Sequence, residues 1–307
     1  MLKKNNTLLL LLFSTLLIFL FLLVYFGDKE KSFDEYVVNI DSTDINRIEI
    51  FPKLNSGKII SLKKSNAKWK VKLPSGEFVS VPFERIKTIF SQLLYLKPSR
   101  VIGRGKELFG KYQIDETATH IKFWRGNELL TDIYLGKFFF SQLRNISSCV
   151  RLADEDIIYE VENILSMQFD QNENYYRNNN IIVDDYSSWI KLVFIYPNDS
   201  SYQLTKREGK WFVDSIPLDS GKVQSYLMSI QRISSTDFFD SVSTETPKST
   251  RKLLIIKQDN SKIELSLHQV NNFITIKSSF NKEEQFDALK SGLDKKIFVT
   301  KKHFLTD

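Results

Sequence analysis

The chain has 307 residues, of which 42% are hydrophobic and 13% aromatic, with only 11 glycines and 7 prolines. That excludes a disordered or low-complexity protein and supplies packed cores. Its net charge of +6 is spread thinly, without the concentrated basic face of a nucleic-acid binder. The single cysteine, Cys149, excludes an intramolecular disulfide, so an exported portion would rely on core burial.

Lys3 and Lys4 precede a run from Leu8 to Phe26 that holds no charge and only Ser14 and Thr15 as polar interruptions. A helix of that length spans about 28 Å, enough to cross the hydrocarbon layer. The flanking lysines place the N-terminus in the cytoplasm. The expected organisation is a cytoplasmic tail at 1–7, a transmembrane anchor at 8–26 and a linker at 27–40, with the bulk of the chain extracytoplasmic. A removable signal peptide has a shorter apolar core and small residues before the cut. Val24, Tyr25, Phe26, Gly27 and Asp28 offer no such site. An atypical signal peptide releasing a soluble domain is the alternative.

Beyond the linker the chain runs one programme twice. Arg47 to Phe51 alternates as a strand, Asn55, Ser56 and Gly57 turn, and Lys58 to Lys63 forms the next strand. Ser65 and Asn66 then turn the chain into Lys68, Trp69, Lys70 and Val71, ahead of an amphipathic helix from Phe83 to Leu96. The second copy reads Ile190 to Tyr196, a turn at Pro197, Tyr202 to Lys206, then Lys210, Trp211, Phe212 and Val213, and an amphipathic stretch from Val223 to Ile233. Asp219 or Ser220 is its N-cap.

Further strands follow in parallel. Ile121 to Trp124 and Leu129 to Leu135 match Leu253 to Ile256 and Ile263 to Leu267, and Ile157 to Val161 matches Ile297 to Val299. The expected class is α+β: an N-terminal transmembrane helix, then two similar tandem domains of mostly antiparallel sheet. Each has about seven short strands and one main helix. The first repeat covers 41–180 and the second 181–307, with the hydrophilic Gln171 to Asn180 as the seam. Trp69 and Trp211 are structural markers of the repeat, each a large ring closing a hairpin over the sheet.

Catalytic signatures are missing. Gly105 to Lys111 has the spacing of a phosphate-binding loop, but Tyr112 stands where Ser or Thr would hold magnesium. His120, His268 and His303 form no metal-binding cluster in sequence. There is no Gly-x-Ser-x-Gly elbow. Asp154, Glu155 and Asp156 lie between two strands, where acids serve a turn or a weak calcium site. Cys149 reads as a buried, inert thiol in a strand. No cofactor, metal or nucleotide is expected. Phe138, Phe139 and Phe140 cannot all face one core from a strand, so Phe138 and Phe139, with Trp124 and Trp189, are candidates for a contact surface. The alternative is a twisted loop buried between the halves.

Several segments occur together in a telling order. They are Ile45 to Ile50 after the anchor, Lys68 to Val71 followed by a proline, and Leu93, Leu96 and Lys97 ahead of Arg100 and Val101. Tyr112, Ile114 and Asp115 follow, then Leu135-Gly136-Lys137, Val150-Arg151-Leu152, Ile158 to Val161 and Tyr176-Arg177-Asn178. Over most of 40–182 this resembles a bacterial family of membrane-anchored exported proteins, the DUF4340-like domains of unknown function. The second half matches as a diverged copy. The family usually has Gly where this chain has Gln113. The resemblance brings no catalytic residues. Genes of the family often lie beside gliding-motility-type ABC transport components, which implies an accessory role at a transporter in the bacterial inner membrane. The function expected is therefore a non-enzymatic scaffold with ABC transporter subunits as protein partners, binding neither nucleic acid nor nucleotide. The alternatives are a module binding cell-envelope polysaccharide and a hydrolase assembled from distant residues.

Overall fold

Period-two alternation becomes strand wherever the sequence shows it. In β1 (Arg47–Phe51) half-buried and buried side chains alternate, and in β6 (Thr119–Arg125) Ile121 and Phe123 face the core while His120 and Lys122 face the other side. The computed structural model describes residues 12–18, 21, 34–54, 58–140, 146–198, 200–240, 248–270 and 272–305.

The first sheet takes β1, β2 (Ile60–Ser65), β3 (Lys68–Lys72), β4 (Phe78–Ser80), β5 (Arg100–Arg104), β6, β7 (Glu128–Phe140), β8 (Ile146–Leu152) and β9 (Ile157–Glu162). Its nine strands lie in the order β4-β3-β2-β1-β6-β7-β8-β9-β5. A two-stranded ribbon pairs β10 (Asn180–Val183) with β15 (Arg232–Ser234). The third sheet takes β11 (Trp189–Ile195), β12 (Tyr202–Arg207), β13 (Lys210–Val213), β14 (Ile216–Pro217), β16 (Lys248–Lys257), β17 (Lys262–Val270), β18 (Phe273–Ser278) and β19 (Gln285–Asp287). Its order is β14-β13-β12-β11-β16-β17-β18-β19. Strands one to four of each set thus run outward from the centre, and the later hairpins run the other way. The helices are α1 (Phe83–Leu93), α2 (Phe109–Tyr112), α3 (Leu165–Phe169), α4 (Ser220–Ile230), α5 (Ala288–Ser291), α6 (Leu293–Ile297) and α7 (Lys302–Leu305). The architecture is sheet-rich, mostly antiparallel and of α+β type.

The chain divides into two compact units, one of residues 1–45, 50–56 and 89–170, the other of 46–49, 57–88 and 171–307. In the first, Ile50, Ile121, Phe123, Ile133, Val150 and Val161 are fully buried. In the second, Trp189, Leu192, Phe194, Leu204, Val223, Ile230, Leu253 and Leu265 form one apolar cluster. Burying each such side chain contributes roughly 1.5–3 kcal/mol before entropy is counted. Asp219 caps α4, its Oδ1 accepting the Lys222 N–H at 2.7 Å.

Two expectations are corrected. The helix expected to reach Ile233 ends at Ile230, because Ile233 turns into β15 opposite Ile182. Ile297 to Val299 is no strand. Its carbonyls are taken by tyrosine hydroxyls: Tyr226 donates to Ile297 O, and Tyr196 and Tyr202 both donate to Val299 O, each at 2.6 Å. Within the stretch from Gln171 to Asn180, Tyr176 and Arg177 are 1% and 2% exposed. Arg177 Nη1 donates to Asp240 Oδ2 at 2.7 Å, Nη2 to Asp240 Oδ1 at 2.8 Å, and Nε to Glu284 Oε1 at 3.1 Å. Its guanidinium carbon lies 3.8 Å from the centroid of the Phe238 ring. Burial pushes the Glu284 carboxyl above the usual carboxylate range, although Arg177 pulls it down.

Among the described residues no helix is long and apolar enough to cross a membrane. Residues 12–18 are helical. The rest of the expected span at 8–26 (save position 21), the tail at 1–7, the linker residues 27–33 and the turn at Asn55, Ser56 and Gly57 lie outside the described residues.

Candidate functional site

Strand register places three chemically active side chains in one row across the first unit. His120 on β6 pairs with Tyr134 on β7, and Tyr134 pairs with Arg151 on β8. Side chains of directly opposed residues share a face of the sheet. Phe51 of β1 stacks on His120 at 4.2 Å between ring centroids, and His120 stacks on Tyr134 at 4.6 Å. The guanidinium carbon of Arg151 lies 4.1 Å from the Tyr134 centroid and 4.2 Å from that of Phe109, at the start of α2. The result is a five-layer column: Phe51, His120, Tyr134, Arg151, Phe109.

Arg151 is 5% exposed. Its Nε donates to Ile114 O at 2.9 Å and its Nη1 to Leu152 O at 3.0 Å. Two aromatic faces and these carbonyls carry the buried cation. The Gly105 to Lys111 stretch becomes a short 3-10 turn followed by α2. Its role is to set Phe109 over the guanidinium.

Burial, helped by Lys122 and Arg151, holds the His120 imidazole below its usual range, with Asp132 pulling the other way. Among the described residues, buried His120 Nδ1 meets no hydrogen-bond partner. Burial first, then Asp132, raises the Tyr134 hydroxyl. Asp132 also meets Lys122, its partner across β6 and β7, at 3.4 Å.

Beside the column opens a cleft of about 1130 Å³, with Phe109, Tyr134 and Arg151 in its wall. Its lining includes two turns, Asp115-Glu116-Thr117 and Asp154-Glu155-Asp156, and Lys106, whose neighbour Gly105 donates its N–H to Asp156 O at 2.9 Å. Hydrogen bonds from the Thr117 hydroxyl and N–H hold Asp115 below the usual carboxylate range. Glu155 accepts the Tyr159 hydroxyl at 2.9 Å. The cleft lining thus carries carboxylates and an arginine whose Nε and Nη1 are held by backbone carbonyls. Both faces of the Tyr134 ring are covered, so it cannot serve as a stacking platform.

Among the described residues no group of three or more His, Cys, Asp or Glu side chains is placed to hold a metal. Cys149 is buried in β8, and burial pushes its thiol up to about 12. His120 lies in the column, while His268 on β17 has its Nε2 2.9 Å from Ser266 Oγ and His303 is on α7.

The candidate contact residues part company. Trp189 is fully buried, and its indole N–H donates to Asp184 Oδ2 at 2.7 Å, so it belongs to a core and not to a contact surface. Trp124 is half-buried on β6. Phe138 and Phe139 are half-buried and Phe140 is 70% exposed, all three at the end of β7 and not in a loop. Trp69 and Trp211 are 7% and 8% exposed, on β3 and β13, which hold matching places in their sheets. Sequence reasoning missed the column and the cluster around Arg177. The signal for the column lay in cross-strand register and that for Arg177 in contacts between loops far apart in sequence, neither of which a local pattern contains.

Residues 69–253 match the family model described as Domain of unknown function (DUF4340). No curated protein and no solved structure matches the chain.

Proposed function

From the premise that this chain belongs to the family of domains of unknown function called DUF4340, we propose a non-enzymatic, membrane-anchored accessory protein whose folded part lies outside the cytoplasm. Its two sheets would be copies of one ancestral unit, as their shared strand order suggests. The partner is an ABC-type transport or gliding complex of the bacterial inner membrane. One observation carries the reading: the uncharged apolar run from Leu8 to Phe26, long enough to hold the chain in a bilayer. Exposed Phe140 and the half-exposed Phe138 beside it support a contact role.

The test is topological and biochemical. A reporter fused after Asp307 should be active only outside the cytoplasm, and alkaline carbonate should leave the chain in the membrane pellet. Pull-down from detergent-solubilised membranes should recover transporter subunits. A reporter active only in the cytosol sinks the reading.

The acidic lining of the cleft favours a second reading, a module for cell-envelope polysaccharide, whose hydroxyls would donate to Glu116 and Asp154. Titration calorimetry with purified envelope glycans, showing binding lost in Glu116→Gln with Asp154→Asn, would favour it over the first.

A further inference from the structure

We propose that the end of the first unit where β7 stops is a bilayer-docking surface, seating apolar side chains in the interface and two lysines against anionic phospholipid headgroups. This rests on the membrane-anchored reading above.

A pocket of about 440 Å³ at that end is lined by Phe138, Met167, Lys53, Lys137 and Asp170, among others. Around it stand Leu54, Phe140 and Met167, which are 78%, 70% and 57% exposed. Phe140 meets Phe138 edge to face at 6.1 Å, and the Leu54 N–H donates to Asp170 Oδ1 at 2.7 Å, which ties these residues into one patch. Asp170, the carboxylate among the described lining residues, is thereby engaged. Leu54, Phe140, Met167 and Lys53 are exposed and Lys137 is half-buried with its Nζ 5.1 Å from the Tyr112 ring centroid, a grouping of apolar and cationic side chains of the kind that interfaces with anionic lipid select.

The path of the chain brings the same end to the membrane. Val37 N–H donates to Leu96 O at 2.7 Å, and Leu96 N–H to Val38 O at 3.0 Å. Four residues later β5 begins, with Arg100 opposite Glu160 near the end of β9. β9 stops at Glu162, opposite Ser147, and Ser147 lies opposite Phe139. The incoming segment and the apolar patch thus share one end of the sheet. From Phe26 to Val38 the chain reaches at most about 40 Å. Tyr36 and Tyr95 meet edge to face at 6.2 Å, with Lys97 Nζ 4.6 Å from the Tyr36 centroid. Tyrosine and lysine are the side chains that favour the headgroup layer.

The full chain is placed in nanodiscs of phosphatidylcholine and phosphatidylglycerol carrying doxyl-labelled lipid. Bimane is attached at Met167→Cys or, as control, at Asn127→Cys in the turn at the other end of β7; Cys149 is buried and stays unlabelled. The expected result is quenching at position 167 and none at 127. Lys53→Glu with Lys137→Glu, or removal of phosphatidylglycerol, should lower the docked-to-undocked ratio about tenfold. Phe140→Ser should lower it in either lipid. If the discs retain the chain but position 167 stays unquenched, docking is overturned and the anchor stands. Protection of position 167 without quenching, concentration-dependent or partner-dependent, likewise overturns it in favour of a protein contact. If the discs do not retain the chain, the anchor falls and docking with it.

Discussion

At the scale of single residues, His120 makes stability depend on pH. Its imidazole is held below the usual range inside the column, chiefly by burial. The unfolded chain then takes up a proton near pH 6.5 that the folded chain refuses. Stability is complete above that pH and is lost as pH falls through the folded pKa. His120→Phe keeps the stack and removes the proton, so its thermal midpoint should drop less than the parent's between about pH 7.5 and about pH 5.5. Arg151→Lys should cost about 2–3 kcal/mol in denaturant unfolding, because an ammonium has no plane to lie between Phe109 and Tyr134 and cannot reach both Ile114 O and Leu152 O. The Asp219 cap was legible in sequence because it is a contact over three residues. Arg151 was quoted only as part of a segment, since its partners come from α2, β7 and the Ile114 carbonyl.

At the scale of elements, the segment Leu135-Gly136-Lys137 marks a bulge, where the register of β7 against β8 shifts between Leu135 and Phe138. A Cβ on Gly136 would collide with Ile114 Cγ2 and stand 2.5 Å from Tyr112 O. The segment that carries α2 passes over the strand at this point. Gly136→Ala should therefore lower the unfolding midpoint by the equivalent of about 3 kcal/mol or more, or abolish soluble expression. Gln113 ends α2 at φ 54, in the left-handed region, with its N–H directed to Gly110 O and Phe109 O. A residue other than glycine holds this turn at a cost in backbone strain. Gln113→Gly should raise stability by about 1 kcal/mol, read from the denaturant midpoint. Strands were read to within a few residues where alternation was strict, as in β1 and β13. They were missed where hydrogen bonding from elsewhere decided, as at Ile297 to Val299, whose oxygens serve Tyr196, Tyr202 and Tyr226.

At the scale of the whole molecule, Trp69 and Trp211 lie on β3 and β13, each second from one border of its sheet, nine-stranded in one case and eight-stranded in the other. Hydrophobic period and turn residues are local, so they survived translation into structure. The division into compact units does not follow the chain in two blocks, because residues 57–88 group with 171–307, as in the 2.7 Å bond from Ser80 N–H to Glu283 Oε2. Such long-range closure leaves no periodic trace. The equivalence of β3 and β13 has a measurable side. Trp69→Ala and Trp211→Ala should each cost about 3–5 kcal/mol, and the two losses should agree within about 1 kcal/mol. The border strand β14 adds a constraint on recognition. It is two residues long and its second residue, Pro217, has no amide hydrogen. A foreign polypeptide laid along that rim finds no main-chain ladder to extend, so whatever is recognised there has to be read by side chains.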